Sequence, residues 1–279
     1  MSEIKNTSYT HENYSAHAGF VPLLTSKITA LLSPQPSDKI LDLGAGDLIL
    51  TSKISKHCSQ ILALDASTDL LTAGRELFPT NDYPNMDTRL VDCRYLDKET
   101  DVVDGTWDKV FSNAALHWIL RDPSTRKNVF TAVHGCLVPG GKFVAEMGGF
   151  GNIDEIHVAL TAALVMKGVK VEQVQEANPW FFPSDIHMKS MLEESGFDVE
   201  MIELEARPTE LSLEDEKGEG GVKAWMEMFG QRFLELVDEP EREAVVKLAR
   251  NLLEGVSRRE DGRWIAGYVR LRWVATKRA

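Results

Sequence analysis

Lys39-Ile40-Leu41-Asp42-Leu43-Gly44-Ala45-Gly46-Asp47-Leu48 is the stretch whose reading decides the fold. KILDLG (39–44) is a short apolar run ending in glycine, the pattern of a strand buried in a parallel sheet. The glycines permit a tight turn and let backbone N–H groups come close to a ligand. Residues 47–57 read as a helix whose N-terminus points at the same spot. A GxG by itself is also what an ordinary strand-to-helix turn looks like.

The alternation continues outward from there. QILALD (60–65) reads as a second strand and 67–78 as a second helix. TRLVD (88–92) is a third strand, and WDKVFSNAAL (107–116) begins as a fourth. Residues 123–137 read as a helix, Val138-Pro139-Gly140-Gly141 as a turn and KFVAEM (142–147) as a fifth strand. Five strands alternating with helices predict an α/β fold: a doubly wound, mostly parallel sheet with right-handed crossovers. Upstream, Val21, Leu24, Ile28, Leu31 and Leu32 recur at helical spacing, and SPQPSD (33–38) stops that helix.

Downstream the pattern is less regular. Residues 152–170 read as an amphipathic helix, and Pro179 and Pro183 bracket Trp180-Phe181-Phe182 as a loop. DIHMKSMLEESG (185–196) reads as a helix closed by Gly196. FDVEMIELEA (197–206) alternates apolar and charged positions, as a strand near a sheet edge does. Residues 222–255 read as helical and RWIAGYVRLRWVATK (263–277) as a final strand. In one continuous strand, Arg270 and Arg272 share a face, with Leu271 and Trp273 on the other.

Among 279 residues there are 31 Lys plus Arg and 43 Asp plus Glu, a formal net charge of −12. That balance argues against nucleic acid as a partner, since phosphate binding needs clustered cations. The acidity is local: residues 191–244 hold 17 acidic and 5 basic residues, and 247–279 hold 9 basic and 3 acidic. Such runs are ordinarily solvated faces, although the C-terminal arginines can also serve an anionic ligand. Apolar residues at 43% are enough for a packed core. Cys58, Cys93 and Cys136 form no CxxC, so neither a disulfide scaffold nor a cysteine zinc site is expected. His11, His57, His134, His157 and His187 lack metal spacing such as HExxH, and no metal is expected. MSEIKNTSYTHENYS is polar, unlike a secretory leader, and there is no apolar run of about 18 residues to span a membrane. The expectation is a cytoplasmic protein with no membrane partner.

Asp65 ends the second strand and can accept hydrogen bonds from both hydroxyls of a ribose, or cap the next helix. The glycine turn upstream favours the ribose. A dinucleotide fingerprint fails, because the final glycine position of G-x-G-x-x-G is Ile49. Asp42 beside the turn would repel a pyrophosphate but suits a cationic amino-acid head. Asp92-Cys93, after the third strand, can flank an adenine, or simply be a loop carboxylate and its neighbour.

With ILDLGAGDL (40–48), ALDAS (63–67), VDCRYLD (91–97), FSNAALHWIL (111–120) and CLVPGGKFVAEMGG (136–149) in this order, the chain resembles the class I S-adenosylmethionine-dependent methyltransferases. Within them it is similar to the trans-aconitate methyltransferase group of fungal type. The resemblance implies a Rossmann-like sheet with an antiparallel last strand and a helical cap. It implies an N-terminal helical lid (1–37), a cofactor-binding core (38–150) and a segment (151–279) that completes the sheet with strands near 197–206 and 263–277 and adds substrate-cap helices. It implies S-adenosylmethionine as cofactor: Asp42, Gly44, Ala45 and Gly46 at the methionine moiety, Asp65 on the ribose, and Ala66, Ser67, Asp92 and Cys93 around the adenine. Asn113 and Ala114 would meet the methionine part and Tyr14 the sulfonium. The family often carries a third glycine where this chain has Leu48, whose side chain is expected to point into the sheet–helix interface.

His117 and Trp118 follow the fourth strand, where a methyl acceptor would sit, or are core residues of that loop. His117 is the candidate base or orienting group; Trp118, Trp180 and Trp225 are candidate walls and Arg270 a candidate anion partner, with Arg207, Arg232, Arg263 and Arg272 as further cations. A carboxylate acceptor is ionised at neutral pH and needs cations rather than a base, whereas a phenol or amine more often needs the base. The reading is O-methylation of a small carboxylic acid of trans-aconitate type by a monomer or homodimer. The alternatives are O-, N-, S- or C-methylation of a secondary metabolite, a malonyl-thioester acceptor, and a cofactor-binding regulator with little catalysis.

Overall fold

The computed structural model describes residues 25–215 and 218–278. One compact unit comprises the described part of Phe20–Phe150 with Trp180–Glu205 and Arg270–Ala279; the other comprises Gly151–Pro179 and Ala206–Val269. Tyr14 and most of the 1–37 lid lie outside the described residues.

The first unit is built on a seven-stranded sheet. In chain order the strands are β1 (Lys39–Leu43), β2 (Gln60–Asp65), β3 (Met86–Leu90), β4 (Trp107–Asn113), β5 (Leu137–Gly148), β6 (Phe197–Ala206) and, near the C-terminus, β9 (Val269–Lys277). The spatial order is β3-β2-β1-β4-β5-β9-β6. β1 pairs in parallel with β2 and β4, β2 with β3 and β4 with β5, while β9 runs antiparallel to β5. The expected doubly wound sheet with a reversed last strand is therefore present. The order reverses at β1/β4, which opens a crevice at the carboxyl ends of those strands.

Apolar residues alternate between the two faces. Leu41, Leu43, Leu62, Leu64, Phe143 and Trp273 join one buried cluster; Ile40, Ile61, Ala63, Phe111, Val144 and Val274 join the other. Helix α1 (Ser26–Leu32) adds Ile28 and Leu32 to the second cluster. Helices α2 (Ile49–Ser55), α3 (Thr68–Leu77), α4 (Leu116–Ile119), α5 (Pro123–Cys136) and α8 (Asp185–Glu194) complete the unit. Their starts are legible chemistry: Ser67, Asp122 and Ser184 accept from the backbone N–H of Leu70, Ser124 and His187. Gly196, at φ +92, follows the end of α8.

The second unit holds α6 (Asp154–Met166), α7 (Val171–Ala177), α9 (Gly221–Phe229), α10 (Gln231–Leu234), α11 (Glu239–Ser257) and a two-stranded sheet of β7 (Thr209–Glu210) and β8 (Ile265–Ala266). Two sequence expectations are corrected here. The helix expected over 222–255 is three helices, interrupted at Gly230 and again before α11, whose first turn contains a proline. The strand expected over 263–277 is two: Ile265–Ala266 pairs antiparallel with Thr209–Glu210, and the ladder to β5 covers Arg270 to Thr276. Among the described residues, no helix is long and apolar enough to cross a membrane, and no group of His, Cys, Asp and Glu could hold a metal.

Candidate active site

The turn after β1 is shaped by what surrounds it. Gly44 has φ +73, and a Cβ there would lie 2.2 Å from Ala115 Cβ, so only glycine fits. Its N–H and that of Ala45 donate to the Leu64 carbonyl at 2.8 and 3.1 Å. Gly46, at φ +62, has nothing among the described residues within 4 Å of where its Cβ would be. Leu48 takes φ +63 yet is fully buried in the cluster with Ile28, Ile40 and Ile54. It thus adopts a glycine-like backbone while packing into the sheet–helix interface.

Two carboxylates stand behind this turn. Asp42 is buried and accepts from the Thr51 hydroxyl at 2.7 Å; burial pushes its carboxyl up to about 7, with the neighbouring Asp65 charge adding to the shift. Asp65 accepts from the N–H of Gly46 and of Ser67, each at 2.8 Å. Burial raises Asp65 above the usual carboxylate range, against those amide bonds. Ala66 is exposed and Ser67 half-buried beside it.

Past β3, Asp92 caps a 3-10 turn (Cys93–Lys98) and is gripped by the Arg94 guanidinium, Nε to Oδ1 at 2.9 Å and Nη2 to Oδ2 at 2.5 Å. Any ligand amine would share that carboxylate. Cys93 is buried, and burial drives its thiol far above the ordinary range, so it is no nucleophile.

At the end of β4, Asn113 Oδ1 is buried without a hydrogen-bond partner, and Ala114 has φ +57. Among the described residues, an unpartnered buried acceptor and a left-handed non-glycine residue thus stand side by side at this strand end. The Ala114 N–H donates to the Glu146 carbonyl at 2.8 Å, where β4 gives out against β5. Two residues further along β5, the Gly148 N–H donates to His117 Nδ1 at 3.4 Å. The imidazole therefore occupies the place a continuing β4 would take. Because Nδ1 accepts, the proton sits on Nε2. Burial, reinforced by the Arg270 charge, holds the imidazole well below its usual pKa. His117 thus stands as a neutral side chain at this end of the sheet, where it was expected as a base or an orienting group.

Aromatic rings gather around it. His117 lies 5.4 Å from Trp118 and 5.7 Å from Phe182; Trp180 stacks on Phe182 at 5.8 Å and meets Trp118 edge-on at 5.8 Å. The Phe181 N–H donates to the His117 carbonyl at 3.0 Å, tying the 180–183 loop to α4. Trp225, in the other unit, is buried and donates its Nε1–H to the Tyr268 hydroxyl at 2.6 Å.

Arg270 and Arg272 are 4% and 1% exposed, so neither belongs to a solvent-exposed face. Both converge on Glu146, itself 1% exposed: Arg270 Nε meets Oε1 at 3.0 Å and Arg272 Nε meets Oε2. Arg263, by contrast, pairs with Glu210 at the surface. Sequence reading missed Glu146. Its signal was present, an acid inside the apolar run KFVAEM, since a charge buried in a strand must be paired.

A family model described as a methyltransferase domain matches residues 41–145. An uncharacterized methyltransferase of Schizosaccharomyces pombe is 38% identical over 269 residues, 96% of this chain and 98% of that protein. A malonyl-[acyl-carrier protein] O-methyltransferase of a Marinomonas species is 27% identical over 152 residues, 53% of this chain and 52% of that one. Among solved structures, an S-adenosylmethionine-dependent methyltransferase from Mesorhizobium loti is similar with a TM-score of 0.51 and 18% identity, covering 90% of this chain and 96% of that one. Phosphoethanolamine N-methyltransferase 2 of Haemonchus contortus, in complex with phosphomonomethylethanolamine and S-adenosylhomocysteine, is similar with a TM-score of 0.57 and 17% identity. There the match covers 99% of this chain and 59% of that one.

Proposed function

The chain belongs to the class I S-adenosylmethionine-dependent methyltransferases, and from that premise we propose that it methylates a carboxylate oxygen of a small carboxylic acid, of the trans-aconitate type. One observation carries this reading. The imidazole at the acceptor end of the sheet has Nδ1 occupied by the Gly148 N–H, and Gly148 faces the buried Arg270 across the β5/β9 ladder. Such a site is poor at removing a proton and good at holding an anion. A carboxylate arrives ionised and needs only the second.

The residues present suit the cofactor. Asn113 Oδ1 is an acceptor awaiting a donor, Gly46 leaves open space above the turn, and Asp42 supplies negative charge for a cationic head. Asp65 has lone pairs left for ribose hydroxyls, and Ala66 and Ser67, with Asp92 and Cys93 opposite, border the place for the adenine. When bound, S-adenosylmethionine supplies an activated sulfonium methyl group. The protein's share is alignment and charge. Holding two reactants in line contributes up to about 7–11 kcal/mol. Trp118 and Trp180 wall the acceptor and exclude water. Asn113 and Ala114 fix the cofactor side, while Arg270 and the His117 Nε2–H orient the acceptor.

A malonyl-thioester is the second reading, favoured by the partial likeness to the Marinomonas enzyme. It too is a carboxylate acceptor. The test is to incubate the protein with methyl-labelled cofactor and a metabolite extract, then identify the labelled product. A labelled methyl ester is expected. Label on a phenol or amine, with no ester formed, would overturn the carboxylate reading.

A further inference from the structure

We infer that Glu146 is a positioning residue for anion recognition: it holds Arg270 beside His117 and leaves the terminal nitrogens of that guanidinium for an incoming carboxylate. The inference rests on the carboxylate reading above for the class of ligand.

The argument begins with sheet register. Glu146 faces Arg272 across the β5/β9 ladder, and Gly148 faces Arg270. Side chains two apart on a strand share a face, so Glu146, Arg270 and Arg272 come together on the face of Val144 and Val274. Two arginines this close repel, and the one carboxylate bridges both through its two oxygens.

The two arginines differ in what else they touch. Arg272 continues to Glu203 at 3.2 Å and to Glu205 on β6. Those acids are in turn neutralised by Lys27 of α1 at 2.6 and 3.1 Å. Arg272 is thereby consumed by a structural chain of alternating charges. Arg270 is not. Its Nε bonds Glu146, while Nη1 and Nη2 have no partner among the described residues, in a side chain that is 4% exposed. A buried guanidinium with its outer fork uncommitted has the geometry for one planar carboxylate.

Gly148 joins this arginine to His117. It lies opposite Arg270 in the ladder, and its N–H holds His117 Nδ1. The groups around the seat are thus Glu146 from β5, Arg272 from β9 and the neutral His117 from α4, whose Nε2–H adds a donor without adding charge. Glu146 sets the pitch of Arg270 within that group. It offsets one positive charge and leaves the directed hydrogen bonds available.

Malonate, titrated calorimetrically into the full chain saturated with S-adenosylhomocysteine, is the probe. Wild-type protein is expected to bind it, and Arg270→Gln to bind about tenfold more weakly or worse. Glu146→Gln alone leaves two buried arginines facing each other with no carboxylate between them and can fail to fold. The double variant Glu146→Gln/Arg272→Gln removes one charge of each sign and keeps the balance. It is expected to melt within a few degrees of wild type and to keep its S-adenosylhomocysteine affinity, yet to bind malonate about tenfold more weakly or worse. Wild-type malonate affinity in the double variant would make Glu146 a mere neutraliser and overturn the inference. So would unchanged affinity in Arg270→Gln, or no malonate binding by wild type. Malonate binding without methyl ester formation from any acid would leave this inference standing and remove the proposed reaction. Ester formation with undiminished acceptor affinity in the double variant would do the reverse.

Discussion

The backbone N–H of Gly46 donates to Asp65 Oδ2 at 2.8 Å, across 19 residues of chain. The turn after β1 and the end of β2 are therefore locked together, and the second oxygen of Asp65 is held by the Ser67 N–H. Asp65→Ala leaves two amides without their acceptor, which costs about 1–3 kcal/mol of stability for each one that stays buried. Asp65→Asn keeps one acceptor and removes the charge. Both variants are expected to bind S-adenosylhomocysteine at least about tenfold more weakly by calorimetry, because a carboxylate bonds hydroxyls more strongly than an amide does. Undiminished affinity in Asp65→Asn would take Asp65 out of the cofactor site.

The two glycines of the turn separate structure from binding. Gly44→Ala places a Cβ 2.2 Å from Ala115 Cβ at a positive φ, so the turn must move. Gly46→Ala meets nothing within 4 Å, and its cost is the left-handed backbone alone, about 1–2 kcal/mol. Thermal melts should therefore show a large loss for Gly44→Ala and a small one for Gly46→Ala. S-adenosylhomocysteine affinity should nonetheless fall clearly in Gly46→Ala, because the added methyl enters the space left for the ligand. Full affinity in that variant would place the cofactor elsewhere.

Burial pushes the Asp42 carboxyl up to about 7, far above the ordinary aspartate range near 4. The folded state then binds the proton more tightly than the unfolded state between those values. Stability contributed by the protonated form is present at low pH and lost as pH rises from about 4 to about 7. Asp42→Asn removes that loss. It should match wild type in urea melts near pH 4 and exceed it at pH 8 by something on the order of 2–4 kcal/mol. Cofactor affinity should fall in the same variant, since the charge is what the cationic head needs. A stability difference that does not vary with pH would show that Asp42 is not titrating in this window.

How far the sequence could be read follows from which interactions are local. β1, β2 and the turn between β1 and α2 are legible because buried parallel strands are continuous apolar runs and the turn needs glycine at Gly44. The break at Gly267-Tyr268 was not legible. Ile265 looks like a continuation of β9, but its partner is Glu210, more than fifty residues away. Glu146 and Arg270 are likewise separated by 124 residues, and one strand does not reveal what lies opposite. The interruptions of 222–255, in contrast, had local signals in Gly230 and Pro240. The neutrality of His117 depends on a backbone amide thirty-one residues away and on burial, neither of which alternation can report.

His117 yields a pH prediction. Its imidazole is held well below 6.5 by burial and by the Arg270 charge, so the folded state disfavours the proton. Stability from the neutral form is present above 6.5 and is lost as pH falls below it. His117→Asn retains an acceptor for the Gly148 N–H, whereas His117→Ala leaves that buried amide unpaired at about 1–3 kcal/mol. With a carboxylic acid acceptor and saturating cofactor, which takes the Asp42 titration out of the profile, wild-type kcat/KM for the acceptor should be flat from about pH 7 to pH 9, with no limb from the imidazole. His117→Asn should mainly raise KM. A limb near pH 6–7 that disappears in His117→Asn would restore the imidazole as a general base.

Leu48 sets two effects against each other, and their magnitudes decide the outcome. At φ +63 a leucine carries a backbone cost of about 1–2 kcal/mol that glycine would relieve. Its side chain is fully buried in the cluster that also holds Ile28, Ile40 and Ile54, and truncating a buried leucine costs about 2–5 kcal/mol. Burial wins, so Leu48→Gly should be destabilised by roughly 1–3 kcal/mol, although it restores the glycine common at this position. Because the side chain packs against Gly74 of α3 and not over Gly46, S-adenosylhomocysteine affinity should change little. Chemical denaturation with calorimetry on the same preparations measures both quantities. A Leu48→Gly protein more stable than wild type would mean that the strained backbone outweighs the packing; a tighter cofactor complex would mean that Leu48 crowds the turn.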